Sequence, residues 1–284
     1  MKYDKFYTKK EIAERCYISL KSLLKDGTYL FLEPSAGCGN ILDVLKANNE
    51  SFYACDILPE SQDIETKNFL NDELSLTGNV IVFGNPPFGK KGKTAIKFIN
   101  KAFEYSQVVA FILPIQFRKY YVQSHIREDA CLIYDEELPE NSFTDNGKDY
   151  SLRCCFQVWC LSDTFVKEYK NLRTQKPTIF HSDFTMYQYN NSQDALKYFD
   201  YEWDFCVPRQ GFVDYTQKYY SKEELSTKQQ YIFFKTSSKS VLDRLLKLDF
   251  QRLSKKNTLI PGFGKADVVE EYNKLYDNSI ERFM

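Results

Sequence analysis

Short apolar runs alternate with amphipathic stretches through the first half of this chain, and that rhythm narrows the fold more than any other feature. Tyr29 to Leu32, Phe52 to Cys55, Val80 to Phe83, Val108 to Leu113, Cys131 to Tyr134 and Cys154 to Leu161 each read as a buried strand. Between them Ile12, Ala13, Cys16, Leu20, Leu23 and Leu24, then Ile41, Leu42, Val44 and Leu45, recur at helical spacing, and Ala95 to Tyr105 reads as a further helix. Thr8-Lys9-Lys10-Glu11 has the S/T-x-x-E form of a capping box ahead of the first helix. Strands separated by helices predict βαβ units, hence a mostly parallel sheet covered on both faces in a Rossmann-like, doubly wound α/β fold. Past Ser162 the rhythm stops. The remainder is rich in Tyr, Phe, Lys and Gln, with helical patterns only near Ser240 to Phe250 and Ala266 to Leu275. Two domains are expected, 1–162 and a smaller 163–284.

Composition excludes several classes. No apolar run approaches the roughly 18 residues of a membrane-spanning helix, and Met1-Lys2-Tyr3-Asp4 opens no signal-peptide apolar region. A cytoplasmic protein with no membrane partner is expected. Eight cysteines include no C-x-x-C pair, so reduced core thiols are expected rather than a disulfide framework or a zinc site. With only His125 and His181, neither a His-based metal centre nor a Ser-His-Asp machine is supported, and no metal is expected. The dipeptide Pro-Cys, which supplies the nucleophile of cytosine-C5 methylation, does not occur.

The segment Leu32-Glu33-Pro34-Ser35-Ala36-Gly37-Cys38-Gly39-Asn40 sits where the first strand turns into its helix. Gly37 and Gly39 let backbone pass close to a ligand at the carboxyl edge of the sheet. The third glycine of a dinucleotide fingerprint and the Gly-Lys-Ser/Thr of a P-loop are both missing. Glu33 is awkward for a pyrophosphate but suits a cationic ligand such as S-adenosylmethionine (SAM), which carries an ammonium and a sulfonium. Asp56, ending the second strand, can accept from a ribose diol, with Ile57 packing on adenine. Asn68-Phe69 follows, able to place an amide on the adenine edge and a ring on its face.

Val80-Ile81-Val82-Phe83-Gly84-Asn85-Pro86-Pro87-Phe88 carries the chemistry. Pro86 and Pro87 remove two backbone donors and stiffen the strand exit, leaving carbonyls free as acceptors. An exocyclic amino group on a nucleobase is a weak nucleophile because its lone pair is delocalised into the ring. Acceptors at the Asn85 side chain and the Pro86 main chain can each take one N–H, favouring a pyramidal nitrogen aimed at an electrophilic methyl. Phe88 would stack on the base and hold it in line.

On these residues the chain resembles the N6-adenine DNA methyltransferases of the gamma arrangement, in which the SAM site precedes an NPPF motif and target recognition is C-terminal. The resemblance covers about the first 160 residues. It implies the class I SAM methyltransferase fold with a seven-stranded sheet, and SAM as cofactor. Phe6-Tyr7-Thr8 resembles the segment that closes over the methionine end of SAM. Glu33 to Asn40, with Pro34, Ser35, Gly37 and Gly39, resembles the glycine motif, Asp56-Ile57 the ribose and adenine contacts, and Asn85 to Phe88 the catalytic motif, with Asn85 also beside the cofactor. Val109 to Phe117, with Leu113-Pro114, is similar to the strand lining the target pocket, and Phe143 is similar in placement to a second base-stacking aromatic. Asn68 stands where the family has Asp, and Thr8-Lys9 where Thr-Pro is common.

Resemblance also implies double-stranded DNA as partner, base flipping, and a restriction-modification setting with a cognate endonuclease. The same chemistry on RNA, or a SAM-fold protein that grips nucleic acid without turnover, are the other readings. The net charge of −1 favours no partner, but from Arg209 to Lys256 eleven Lys/Arg stand against five Asp/Glu. Arg209, Lys218, Lys228, Lys235, Lys239 and Arg244 are the expected DNA-phosphate contacts, with Gln210, Gln217, Gln229 and Gln230 as base readers.

Overall fold

Every residue of the strand Val108–Pro114 is buried, with Val108, Ala110 and Ile112 in one core and Val109, Phe111 and Leu113 in the other. Side chains alternate across a strand, so an unbroken apolar run means that both faces are covered. A computed structural model describes residues 6–145, 147–255 and 260–276. The chain divides into two compact units, residues 1–175 and 176–284.

In chain order the first unit contains β1 (Tyr7–Thr8), α1 (Lys10–Leu23), β2 (Leu30–Glu33), α2 (Asn40–Ala47), β3 (Ser51–Asp56), β4 (Glu65–Thr66) and β5 (Val80–Gly84). It continues with α3 (Lys93–Ala102), β6 (Val108–Pro114), α4 (Tyr120–Gln123), β7 (Cys131–Glu137), β8 (Phe143–Asp145), β9 (Lys148–Tyr150) and β10 (Cys154–Cys160). Seven strands form one sheet in the order β4-β3-β2-β5-β6-β10-β7. The first five are parallel; β10 runs antiparallel to both its neighbours. This is the expected mostly parallel α/β architecture. Buried Ile12, Ala13, Cys16, Tyr17 and Leu20 of α1 join Ile41, Val44 and Leu45 of α2 over one face, where Phe31, Ile81 and Phe83 point. Ala95, Phe98, Ile99 and Ala102 of α3 cover the other, against Leu32, Val82 and Val109.

Two local expectations change. Thr8 does not cap α1: the N-cap position is Lys9, with no side-chain cap, and Thr8 lies in β1. The strand wins because β1 pairs with β8, and β8 with β9, in a small separate sheet. Second, residues 163–175 pack with the first unit, so the units divide after Gln175 rather than after Ser162. Lys25 N donates to Phe165 O at 2.9 Å and Lys167 N to Leu23 O at 2.9 Å. The Arg173 guanidinium donates to the carbonyls of Gln123, Ile126, Arg127, Glu128 and Ala130. Carbonyls at the end of α4 and in the turn after it, outside any regular ladder, thereby gain a charged donor from a distant residue.

In the second unit β11 (Thr185–Tyr189), β13 (Gln230–Lys235) and β12 (Phe205–Gln210) form an antiparallel sheet with β13 central. Helices α5 (Lys239–Leu246), α6 (Phe250–Ser254) and α7 (Lys265–Tyr276) supply Val241, Leu245, Phe250, Leu253, Val268, Val269 and Tyr272 to its core. Most of the aromatic richness is therefore core. Among the described residues no helix is long and apolar enough to cross a membrane.

Candidate active site

Parallel strands deliver their carboxyl ends to one edge of the sheet, and here the ends of β2, β3 and β5 open into a cleft of about 490 Å³. Phe6, Tyr7, Thr8, Glu33, Pro34, Ser35, Gly37, Asp56, Ile57, Asn68, Phe69 and Asn85 to Phe88 all line it. Residues separated by up to 82 positions are brought together, as the order of motifs predicted. Gly39 is not part of the lining; it is the N-cap of α2, at φ +88°, and shapes the turn. At Gly37, φ is +53° and a Cβ would stand 3.1 Å from the Tyr7 ring, so a side chain there would be strained and would press that ring outward.

Glu33, closing β2, is 2% exposed, and its Oε2 has no hydrogen-bond partner. Burial pushes its carboxyl well above the usual carboxylate range, and the charges of Asp56 and Asp43 push the same way. An unpartnered carboxyl in such surroundings is a strong site for a proton or a cation. Asp56 is held differently. Its Oδ2 accepts from Gly37 N at 2.9 Å and its Oδ1 from Leu58 N at 2.8 Å, which fixes the carboxylate and leaves each oxygen a second lone pair. Asn68 Oδ1 accepts from Leu70 N at 3.2 Å. Phe69 is 1% exposed, tilted against Phe98 and Tyr105, so its ring is a wall of the cleft rather than a free surface. Ile57, 40% exposed, stands at the opening.

Asn85 follows β5 directly. Its Nδ2 donates to Phe6 O at 3.3 Å and Thr8 Oγ1 at 3.1 Å. Its Oδ1 is buried and accepts nothing. A backbone carbonyl only accepts, so Phe6 O fixes which end of the amide faces it and leaves the oxygen turned away. Pro86 O also receives no hydrogen bond from the described residues. Ser35 Oγ donates to Asn85 O at 3.2 Å, tying the two loops together. Phe88 is half-buried, and its carbonyl accepts from Thr94 N and Ala95 N at 3.2 and 3.4 Å, fastening the motif to the first turn of α3.

Phe143 requires a correction. It is fully buried in the core and absent from the cleft lining, paired in register with Thr8. A ring with no exposed surface cannot stack on an incoming base in this conformation; packing took it because β8 has no other large apolar residue. One feature escaped the sequence reading. Gly89-Lys90-Lys91-Gly92-Lys93 runs on from Phe88, with Lys90, Lys91 and Lys93 exposed. Gly89 lines the cleft, and Gly92 is so close to Phe117 that a Cβ would stand 2.9 Å from its ring. The run of lysines beside the motif was the available signal.

The second unit shows most of its expected phosphate contacts engaged elsewhere. Arg209 is partly buried, its Nη1 donating to Gln230 Oε1 at 2.5 Å and Gln210 Oε1 at 3.3 Å, and burial lowers its pKa. Lys235 pairs with Asp204 at 3.3 Å. Arg244 lies over the Tyr276 ring at 5.5 Å. Lys218 Nζ reaches only Thr216 O, at 3.4 Å. Lys228 and Lys239 are exposed. Gln217 and Gln229 accept from Tyr219 and Tyr231. Lys256 lies outside the described residues.

The sheet order, with one reversed strand next to the edge, is a Rossmann-like doubly wound arrangement. Similar solved structures include a protein described as a class I S-adenosylmethionine-dependent methyltransferase from Listeria monocytogenes, with TM-score 0.45, 15% identity and 58% of this chain covered. Another is described as an RNA methyltransferase from Pyrococcus horikoshii, with TM-score 0.39, 15% identity, and 53% of this chain and 82% of that chain covered. A third is described as the modification subunit of a type I restriction enzyme from Vibrio vulnificus, with TM-score 0.40, 13% identity and 93% of this chain covered. The match spans 64% of the Listeria chain and 59% of the Vibrio chain, in each case less than two thirds. No protein-family model matches the chain. No curated protein sequence matches it. At such identities these likenesses concern the fold, and an activity has to be read from the cleft.

Proposed function

We propose that this chain is a SAM-dependent methyltransferase that acts on the exocyclic N6 amino group of adenine in DNA. The observation that carries the reading is the bare, buried oxygen of Asn85, held by its own amide nitrogen in the same cleft as the unpartnered carboxyl of Glu33. A buried acceptor without a partner gains from an N–H and a buried carboxyl from a cation, and the lining that covers the Asn85 oxygen in this conformation has to move aside for a base to reach it.

SAM supplies an electrophilic methyl on a sulfonium. Glu33 would meet its positive charge, Asp56 its ribose hydroxyls, and Ile57 with Asn68 its adenine. The acceptor amino group gives one hydrogen bond to Asn85 Oδ1 and one to Pro86 O while Phe88 stacks on the ring. With SAM bound, the nitrogen lone pair would form the new N–C bond as the C–S bond broke, its electron pair remaining on sulfur. The nitrogen, briefly cationic, loses a proton to water and needs no strong base. Orientation and placed acceptors account for the catalysis.

A polyanionic acceptor is supported by the exposed Lys90, Lys91 and Lys93 following the motif, and by Lys228 and Lys239 in the second unit. Duplex DNA must present its base by flipping. The first unit is read as catalytic and the second as target-recognising, in a restriction-modification setting with a companion endonuclease.

Labelled SAM, duplex DNA and structured RNA test this directly. The expected product is N6-methyladenine in DNA, lost in Asn85→Ala while SAM binding persists. Full activity in that variant would refute the acceptor argument. Label entering RNA alone would move the substrate to RNA, and SAM binding with no nucleic acid labelled would leave a binding protein.

A further inference from the structure

We propose that Thr8 is a positioning residue for the methyl transfer, acting through Asn85: its hydroxyl and the Phe6 carbonyl form a clamp that aims the Asn85 oxygen at the acceptor amine. The inference rests on the methyl-transfer reading above, and it gives the first strand of the chain a role in the reaction beyond closing over the cofactor.

An asparagine amide turns about its terminal bond at little cost, and with its two ends exchanged Asn85 would offer donors where an acceptor is needed. One group sets which end of the amide points where, and a second holds the amide in that plane. Phe6 O accepts only, so it holds the nitrogen. Thr8 Oγ1, a hydroxyl that could pair with either end of the amide, accepts from the same nitrogen and fixes the plane of the amide once Phe6 O has set its sense. Both protons of the amide are thus engaged while its oxygen is left bare.

The clamp is itself rigidly held. Thr8 is 4% exposed and sits opposite buried Phe143 in the β1–β8 pairing. Thr8 O accepts from Asn40 Nδ2 at 2.8 Å, at the start of α2, and Lys9 N donates to Ser142 O at 3.0 Å. Phe6 stacks on Tyr150 of β9, ring centres 4.4 Å apart. The small three-stranded sheet, which contributes nothing to the large sheet, anchors the segment that orients the catalytic amide.

The experiment compares Thr8→Val, which keeps shape and removes the acceptor, with Thr8→Ser, which restores the hydroxyl. Thr8→Val is expected to lower kcat about tenfold, the worth of one orienting hydrogen bond, with the acceptor KM unchanged and a smaller change in the SAM dissociation constant than in kcat. Thr8→Ser is expected to recover kcat. Wild-type kcat in Thr8→Val, a loss confined to SAM affinity, or no recovery in Thr8→Ser would each overturn the proposal. A second readout needs no turnover. The Asn85 side-chain NH2 signals, identified by their absence in Asn85→Ala, are expected to exchange with water several-fold faster in Thr8→Val than in wild type. Equal exchange overturns the clamp. If wild type methylates nothing yet the exchange accelerates, the clamp stands and the methyl-transfer reading fails.

Discussion

Replacing Glu33 with glutamine should remove a pH dependence from the stability of the ligand-free protein. The native carboxyl is held well above its ordinary value of 4.5, by burial first and by Asp56 and Asp43 next. A raised native value means that the folded chain keeps a proton that the unfolded chain has released. The associated stability is complete below 4.5 and drains away as pH rises toward the native value. With one proton at stake the slope is about 1.4 kcal/mol per pH unit, continuing until Glu33 ionises in the folded state. Glutamine has nearly the same shape and cannot ionise. Urea unfolding of wild type and Glu33→Gln, across a series of pH values above 4.5, should therefore give curves that diverge, wild type losing ground by that slope. Saturating SAM should reduce the divergence, because a cation beside Glu33 lets the carboxylate ionise in place. Parallel curves without SAM would refute the buried-proton argument, and so would wild type gaining on the variant as pH rises.

Two further outcomes follow from the site. Reversing Lys90, Lys91 and Lys93 together to glutamate should raise the acceptor KM, leave SAM affinity unchanged, and cut the logarithmic salt dependence of DNA binding by roughly 2.7, from about 0.9 per lost phosphate contact; an unchanged slope would remove these lysines from the interface. Phe143→Ala should cost about 3–5 kcal/mol in the unfolding of the first unit, since the ring is fully buried; a variant of wild-type stability that lost only DNA binding would restore the base-stacking role.

How much of this could be read beforehand depended on whether a residue's neighbours in sequence were also its neighbours in space. Strands β5 and β6 were legible because both faces are covered, so each is a plain apolar run. Glu33, Gly37, Asp56 and Asn85 were legible because parallel strands return to one edge in sequence order, which makes motif order a proxy for location. The small β1–β8–β9 sheet was not, since strands of two or three residues have no period to detect. Thr8 had a valid local pattern, the capping box, which lost to pairing with a strand that starts at Phe143. Arg173 is invisible locally, because the five carbonyls it serves lie between Gln123 and Ala130. Basic composition pointed to the second unit, yet Arg209 and Lys235 spend their charge on internal partners.

Gly84, the last residue of β5, stands where the pairing of β2 with β5 sets a dimension that no loop movement can alter. A Cβ there would make ordinary contacts, 3.4 Å from Pro34 Cδ and 3.7 Å from Glu33 Cγ, while the parallel pairing of β2 with β5 sets the shelf under Glu33 and the shelf under Asn85 about 4.8 Å apart. The interval between the two strand ends is built into the weave of the sheet, like the gauge of a railway. What remains adjustable is only which molecule arrives on each track.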